Sequence, residues 1–179
     1  MASLTGITIE EFEKLPEALA RNHELVDGEL VDVSGNTPNH NHLRDLLVHL
    51  LLPVVKKAGL GYVISEQEYD FGGNAHGPDV STYSREKRRL LDGNKRVQRF
   101  VPDLAIEIAS TTDTFEKLLA KANRYRRCGT KEVWIFSIDL RQAVHLSDKG
   151  QVILGETDLF APEQVPGVSI PIGELLDQI

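Results

Sequence analysis

Apolar and polar residues alternate along residues 101–109: Leu104, Ile106 and Ile108 fall on one face of a strand, and Asp103, Ala105, Glu107 and Ala109 on the other. One face reads as core and the other as a site. The same patterning divides the rest of the chain. Thr8-Ile9-Glu10-Glu11 has capping-box spacing and predicts a short helix to about Leu15, ahead of Pro16. Residues 23–26 and 29–33 flank Asp27-Gly28, a pair suited to the positive φ angles of a two-residue hairpin. The Asn-, Gly- and Pro-rich stretch 34–41 predicts a loop leading into a helix from about His40 to Ala58, closed by Gly59 and kinked or shortened at Pro53. Residues 61–71 read as one strand, followed by a glycine-rich turn over 72–77 and a second strand over about 79–83.

Residues 101–109 are then the third strand. Thr111, Thr112, Asp113 and Thr114 are N-cap candidates for a helix ending near Cys128-Gly129, and residues 132–138 form a nearly continuous apolar run suited to a strand buried on both faces. Residues 143–146 and 151–154 flank a turn at Lys149-Gly150, and residues 172–179 predict a terminal helix. The order is helix, three strands, helix, strand, preceded by a hairpin and followed by more strand. This is an α/β pattern, and 179 residues fit one domain spanning 1–179.

Charge and composition narrow the function. The single cysteine, Cys128, permits no intramolecular disulfide. No apolar stretch approaches the ~20 residues that span a bilayer, and residues 1–14 lack a signal-peptide pattern, so a soluble, cytoplasmic protein is expected. A net charge of -7 argues against coating nucleic acid by bulk electrostatics. The basic residues are nonetheless clustered: Arg85, Lys87, Arg88, Arg89, Lys95, Arg96 and Arg99 precede the third strand, and Lys117, Lys121, Arg124, Arg126, Arg127 and Lys131 follow it. They read either as solvated surface or as a rim for a polyanion.

Two Pro-Asp pairs, Pro78-Asp79 and Pro102-Asp103, carry the candidate chemistry. If strands two and three pair antiparallel, Asp79 at the start of one meets Glu107 near the end of the other, and two convergent carboxylates suit a hard cation such as Mg²⁺. Asp103 shares the Glu107 face but stands four residues, about 13 Å, away. Taken alone, an acid after proline is a common solvated turn residue. Glu107 is different, because a carboxylate inside an apolar strand needs a cation or a metal. On the following helix Leu118, Ala122 and Tyr125 form the apolar stripe, with Lys121 at its border and Lys117 one turn earlier. Either ammonium can serve a water or phosphate near Glu107, or simply pair with it.

With these elements in place, the chain resembles the PD-(D/E)XK nuclease superfamily, and more closely the Uma-type family of restriction-endonuclease-like proteins. The likeness rests on His23-Glu24-Leu25-Val26-Asp27-Gly28-Glu29-Leu30, Pro38-Asn39-His40, Gly77-Pro78-Asp79-Val80, Pro102-Asp103-Leu104-Ala105-Ile106-Glu107-Ile108-Ala109-Ser110 and the segments 121–125 and 129–135. It implies a restriction-endonuclease-like fold and a metal-dependent endonuclease acting on DNA. In that role Asp79 and Glu107 hold Mg²⁺ or Mn²⁺, and Lys121 polarises water or phosphate. Glu24 matches a recurrent acid and assists with Asp103, while His40 is a candidate for phosphate binding or proton transfer.

A homodimer is expected, since two symmetric sites can cut two strands. The chain departs from the superfamily at Ala109, where a lysine is usual, at Ser110-Thr111 after the strand, and at Lys117, where an acid is frequent. The alternative is a non-catalytic module of the same fold that binds nucleic acid or protein. No Ser-His-Asp order, Cys-rich metal site or phosphate-binding P-loop is present in the sequence.

Overall fold

The computed structural model describes residues 6–33, 35–110 and 113–179. Helix α1 (Ile9–Phe12) starts at a capping box in which the Thr8 hydroxyl accepts from Glu11 N and Glu11 returns to Thr8 N. It is shorter than the expected run to Leu15, and α2 (Glu17–Ala20) opens after Pro16. The hairpin of β1 (His23–Val26) and β2 (Glu29–Asp32) turns on Asp27 and Gly28, with φ of 50° and 81°. Helix α3 (Pro38–Ala58) is capped by Thr37, begins on Pro38, and ends at Gly59 in the left-handed region. It runs on through Pro53 and is not shortened there. Pro53 and His49 are both exposed, so water can take the carbonyl that proline cannot satisfy.

The expected strand over residues 61–71 is two strands in different sheets. β3 (Gly61–Ser65) stops at Glu66, whose φ is 54° and whose N–H turns to the Pro78 and Asp79 carbonyls, and β4 (Glu68–Asp70) leaves in a new direction. Both halves carry β-forming residues, so sequence pattern alone gave no sign of the break. After β5 (Ala75–His76) come β6 (Val80–Ser84), a 3₁₀ turn over Lys87–Leu90, β7 (Val97–Gln98) and β8 (Leu104–Ile108). Helix α4 (Phe115–Arg127) is capped by Thr114; the other cap candidates Thr111 and Thr112, like Ser34 of the loop before α3, lie outside the described residues. The chain closes with β9 (Glu132–Ser137), β10 (Gln142–Ser147), β11 (Gly150–Leu154), β12 (Leu159–Phe160), β13 (Ile170–Pro171) and α5 (Ile172–Leu176).

The central sheet runs β11-β10-β9-β8-β6-β3, with β8 and β9 parallel and the other neighbours antiparallel. A second sheet runs β2-β1-β5-β4-β7. On one face of the central sheet α3 packs Leu43, Leu47, Leu51 and Val55 against Leu104, Ile106, Ile108, Trp134 and Phe136. On the other, α4 packs Leu118, Ala122 and Tyr125 against Ala105, Val133 and Ile135, together with Tyr69 of β4 and Phe71 just after it. Both faces of β8 are therefore core, and Glu107 is an ionisable group set into a buried wall.

The β3–β6 pairing depends on Gly61, which lies opposite Ser84 with φ 150°. A Cβ there would stand 2.0 Å from the Tyr83 carbonyl oxygen. Gly61→Ala is expected to lower stability by about 2–3 kcal/mol through backbone strain, read as a drop in the urea midpoint. An unchanged midpoint would mean the edge strand relaxes freely.

Candidate functional site

Antiparallel pairing sets Val80 opposite Ile106 and Ser81 opposite Ala105, which brings Asp79 beside Glu107 at one end of the two strands. Asp79 Oδ2 accepts from Ile108 N at 2.7 Å, locking the carboxylate onto β8. Glu107, 4% exposed, uses both oxygens: Oε1 accepts from the Tyr125 hydroxyl at 2.6 Å and Oε2 from Lys121 Nζ at 3.0 Å. Lys121 and Tyr125 stand one turn apart on α4, so the apolar stripe also carries the site's donors.

Lys121 Nζ has a second carboxylate, Glu24 Oε1, at 2.9 Å. Glu24 belongs to β1 and is buried; its other contacts are His76 Nδ1 to Oε2 at 2.8 Å and Gly77 N to Oε1 at 3.0 Å. His40, at the start of α3, places Nε2 3.3 Å from Asp79 Oδ1 and 3.1 Å from the Ile108 carbonyl. The structure thus gathers Asp79, Glu107, Lys121, Glu24 and His40. It does not bring Asp103 to them. Asp103 sits toward the other end of the sheet, where Oδ1 accepts from Lys87 at 2.9 Å and lies 3.1 Å from Lys131 Nζ, and Oδ2 accepts from Ser84 N at 2.9 Å.

Two members of the cluster were not among the sequence candidates. His76 has no ligand-like spacing along the chain, and Tyr125 falls in the apolar stripe of its helix. Their signals were local: His76 stands three residues before Asp79, and Tyr125 four after Lys121.

The charges are unevenly neutralised. For Glu24, burial works against ionisation, but Lys121 and His76 outweigh it and lower the pKa to about 2. For Glu107, burial dominates, Lys121 offsets only part of it, Asp79 and Glu24 add repulsion, and the pKa is pushed up to about 8. Lys121 is shared between the two acids, and Glu24 has the better remaining partners. The ammonium itself resists burial because both carboxylates raise its pKa. His40 likewise loses to burial but gains more from Asp79, so its pKa is raised.

Asp79, Glu107 and Glu24 converge on one ammonium, and the crowding that raises the Glu107 pKa is what a hard divalent cation relieves. Among the described residues no group of three His, Cys, Asp or Glu side chains forms a ready metal cage. Zinc would ordinarily require one, whereas Mg²⁺ is commonly held by two carboxylates with water and substrate oxygens completing its shell. Asp79 and Glu107 fit the second pattern.

A family described as "Putative restriction endonuclease", Uma2, matches residues 9–173. The chain belongs to the Uma2 family. Its fold is similar to the crystal structure of a "putative nuclease belonging to DUF820" from Anabaena variabilis ATCC 29413, with a TM-score of 0.84, 23% identity, and coverage of 96% of this chain and 98% of that one. This likeness establishes a restriction-endonuclease-like fold for this Uma2 chain. No curated protein matches it. In this Uma2 fold the end of β8 carries Ala109, and the lysine beside Glu107 comes from α4. Among the described residues no helix is long and apolar enough to cross a membrane.

Proposed function

We propose that this chain is a metal-dependent endonuclease that hydrolyses phosphodiester bonds in DNA, two copies acting on the two strands. The observation that carries the reading is the crowded carboxyl pair Asp79 and Glu107 beside a fixed lysine, in a family of restriction-endonuclease type. Asp79 and Glu107 would hold Mg²⁺ or Mn²⁺, which when bound supplies Lewis-acid activation of water and neutralises phosphate charge. Lys121 keeps its proton between two carboxylates, so its role is to donate hydrogen bonds to phosphate oxygens and stabilise developing negative charge rather than to act as a base. Tyr125 and Glu24 hold the two ends of this arrangement in place. His40, protonated more readily than a free imidazole, can deliver a proton beside Asp79.

A second reading has its own support. Both Glu107 oxygens and Asp79 Oδ2 already accept protein hydrogen bonds, and Ala109 lacks the usual ammonium, as suits a binding module of the same fold. Supercoiled plasmid incubated at low salt with Mg²⁺, Mn²⁺ or EDTA separates the two. Nicking that needs the metal and is reduced at least 100-fold in Asp79→Asn is expected. Plasmid left intact in every metal, with calorimetric Mn²⁺ binding absent, would move the chain to the module reading.

A further inference from the structure

Five cations gather at the end of the central sheet opposite the acidic cluster. Lys56 and Lys57 close α3, Arg85 follows β6, and Arg88 and Arg89 lie in the 3₁₀ turn after it. All five are exposed, and none enters an ion pair among the described residues. Elsewhere Arg44, Arg96, Arg99, Arg124 and Arg141 are each bound to a carboxylate. In a chain of net charge -7, unpaired cations on one end create a local positive field that neither folding nor the acidic site uses. The guanidinium of Arg85 reaches over Gly59, which joins the α3 and β6 parts of the patch.

An aromatic ring stands in this patch. Tyr62 of β3 is 42% exposed and stacks on Tyr83 of β6, with ring centroids 5.5 Å apart and planes at 20°. Arg88 lies over the Tyr62 ring at 5.7 Å. A cleft beside the ring is lined by Tyr62, Tyr83, Ser84, Asp103 and Lys131. The Asp103 carboxylate there is already neutralised by Lys87 and Lys131. An exposed, pre-stacked ring with an arginine over it and lysines around it is the arrangement that receives an unpaired base and its phosphates.

Position ties the patch to the candidate site. β3 is the edge strand of the central sheet, and its two ends mark the two places: Tyr62 pairs with Tyr83, while Ser65 pairs with Val80, the residue after Asp79. Three residues of extended strand separate Tyr62 from Ser65, about 10 Å. A polymer lying along the free edge of β3 therefore spans from ring to carboxylates.

We propose that Tyr62 and Arg88, with the surrounding lysines and arginines, form a docking track for an unpaired stretch of the DNA substrate, leading along the β3 edge to the Asp79–Glu107 site. The inference rests on the nuclease reading for its substrate, but binding can be measured without cleavage. Fluorescence anisotropy in EDTA, with a labelled 20-nucleotide oligo-dT, a blunt 20-base-pair duplex and a 20-nucleotide oligo-U, gives the test. The single-stranded DNA is expected to bind at least roughly tenfold tighter than the duplex and no more weakly than the RNA. Tyr62→Ala and Arg88→Ala should each weaken it roughly tenfold, while Tyr62→Phe and Lys149→Ala, at the β10–β11 turn on the far side of the sheet from β3, keep the parent affinity.

Parent-like affinity in both Tyr62→Ala and Arg88→Ala overturns the track, as does preference for the duplex, and tighter binding of oligo-U overturns the DNA assignment. The two readings fail separately. A plasmid left uncut beside Tyr62-dependent oligo-dT binding removes the nuclease and keeps the track; metal-dependent cutting with unaltered Tyr62→Ala binding does the reverse.

Discussion

Lys121→Met should lower the free energy of unfolding at pH 9 by about 3–5 kcal/mol, a larger loss than a surface lysine would give, because it leaves buried carboxylates without their cation. Nζ lies 2.9 Å from Glu24 Oε1 and 3.0 Å from Glu107 Oε2, and both acids are buried. Methionine fills the space of the stem but offers no donor. Glu24 retains His76 and the Gly77 amide, so most of the cost falls on Glu107, which keeps only Tyr125. Two consequences can be measured by urea denaturation. The deficit should shrink toward acid pH, as Glu107 takes up a proton, and adding Glu107→Gln to Lys121→Met should restore part of the loss. A double variant no more stable than Lys121→Met alone would show that the lysine contributes through packing.

Glu107→Gln should act in the opposite sense on the fold while abolishing function. A glutamine oxygen still accepts from Tyr125 and Lys121 still has Glu24, while the new amide NH2 comes to face the ammonium, a donor-to-donor contact that offsets part of the gain. What disappears is a carboxylate whose pKa stands at about 8 in the fold against 4.5 as its ordinary value. For such a group the native state binds the extra proton. Its contribution to stability is therefore complete below about pH 4.5 and is lost as pH rises toward about 8. The parent should lose stability across that interval relative to Glu107→Gln, and the variant should be at least as stable at pH 8.

Glu24 works the other way: its pKa, lowered from 4.5 to about 2, supports the fold above pH 4.5 and ceases to do so as pH falls toward 2. That acid limb should persist in Glu107→Gln. Metal-dependent plasmid cleavage should fall at least 100-fold in the same protein, since one of two candidate metal carboxylates is gone. A variant that cuts normally would place the reaction elsewhere, whatever its stability.

The sequence was most readable where one interaction decides the local structure. The capping box at Thr8, the Asp27-Gly28 turn and the Gly59 helix end are all set by neighbours within a few residues, and each is realised, whereas the face of β8 that carries Glu107 is buried like the other. The Asp79–Glu107 approach was legible too, because antiparallel pairing of short strands leaves few registers. What was hidden is the long-range part. Whether residues 61–71 form one strand or two depends on Glu66 N meeting carbonyls beyond the next turn. His76 gains a role only because β5 lies between β1 and β4, which puts it against Glu24 from 52 residues away. Many of the basic residues that looked like a rim are bound to acids distant in sequence, such as Arg96 to Glu68 and Arg99 to Glu10.

The cluster draws Glu24 and His76 from the second sheet, Asp79 and Glu107 from the central sheet and Lys121 from the helix beyond it. A chain leaving the ribosome therefore exposes Glu24 ninety-seven residues before Lys121. Until then three acids lack their ammonium, and their mutual repulsion opposes bringing the sheets together. The three acids therefore share one ammonium only through tertiary contacts that join residues 24–121, and no local segment of the chain holds the cluster by itself.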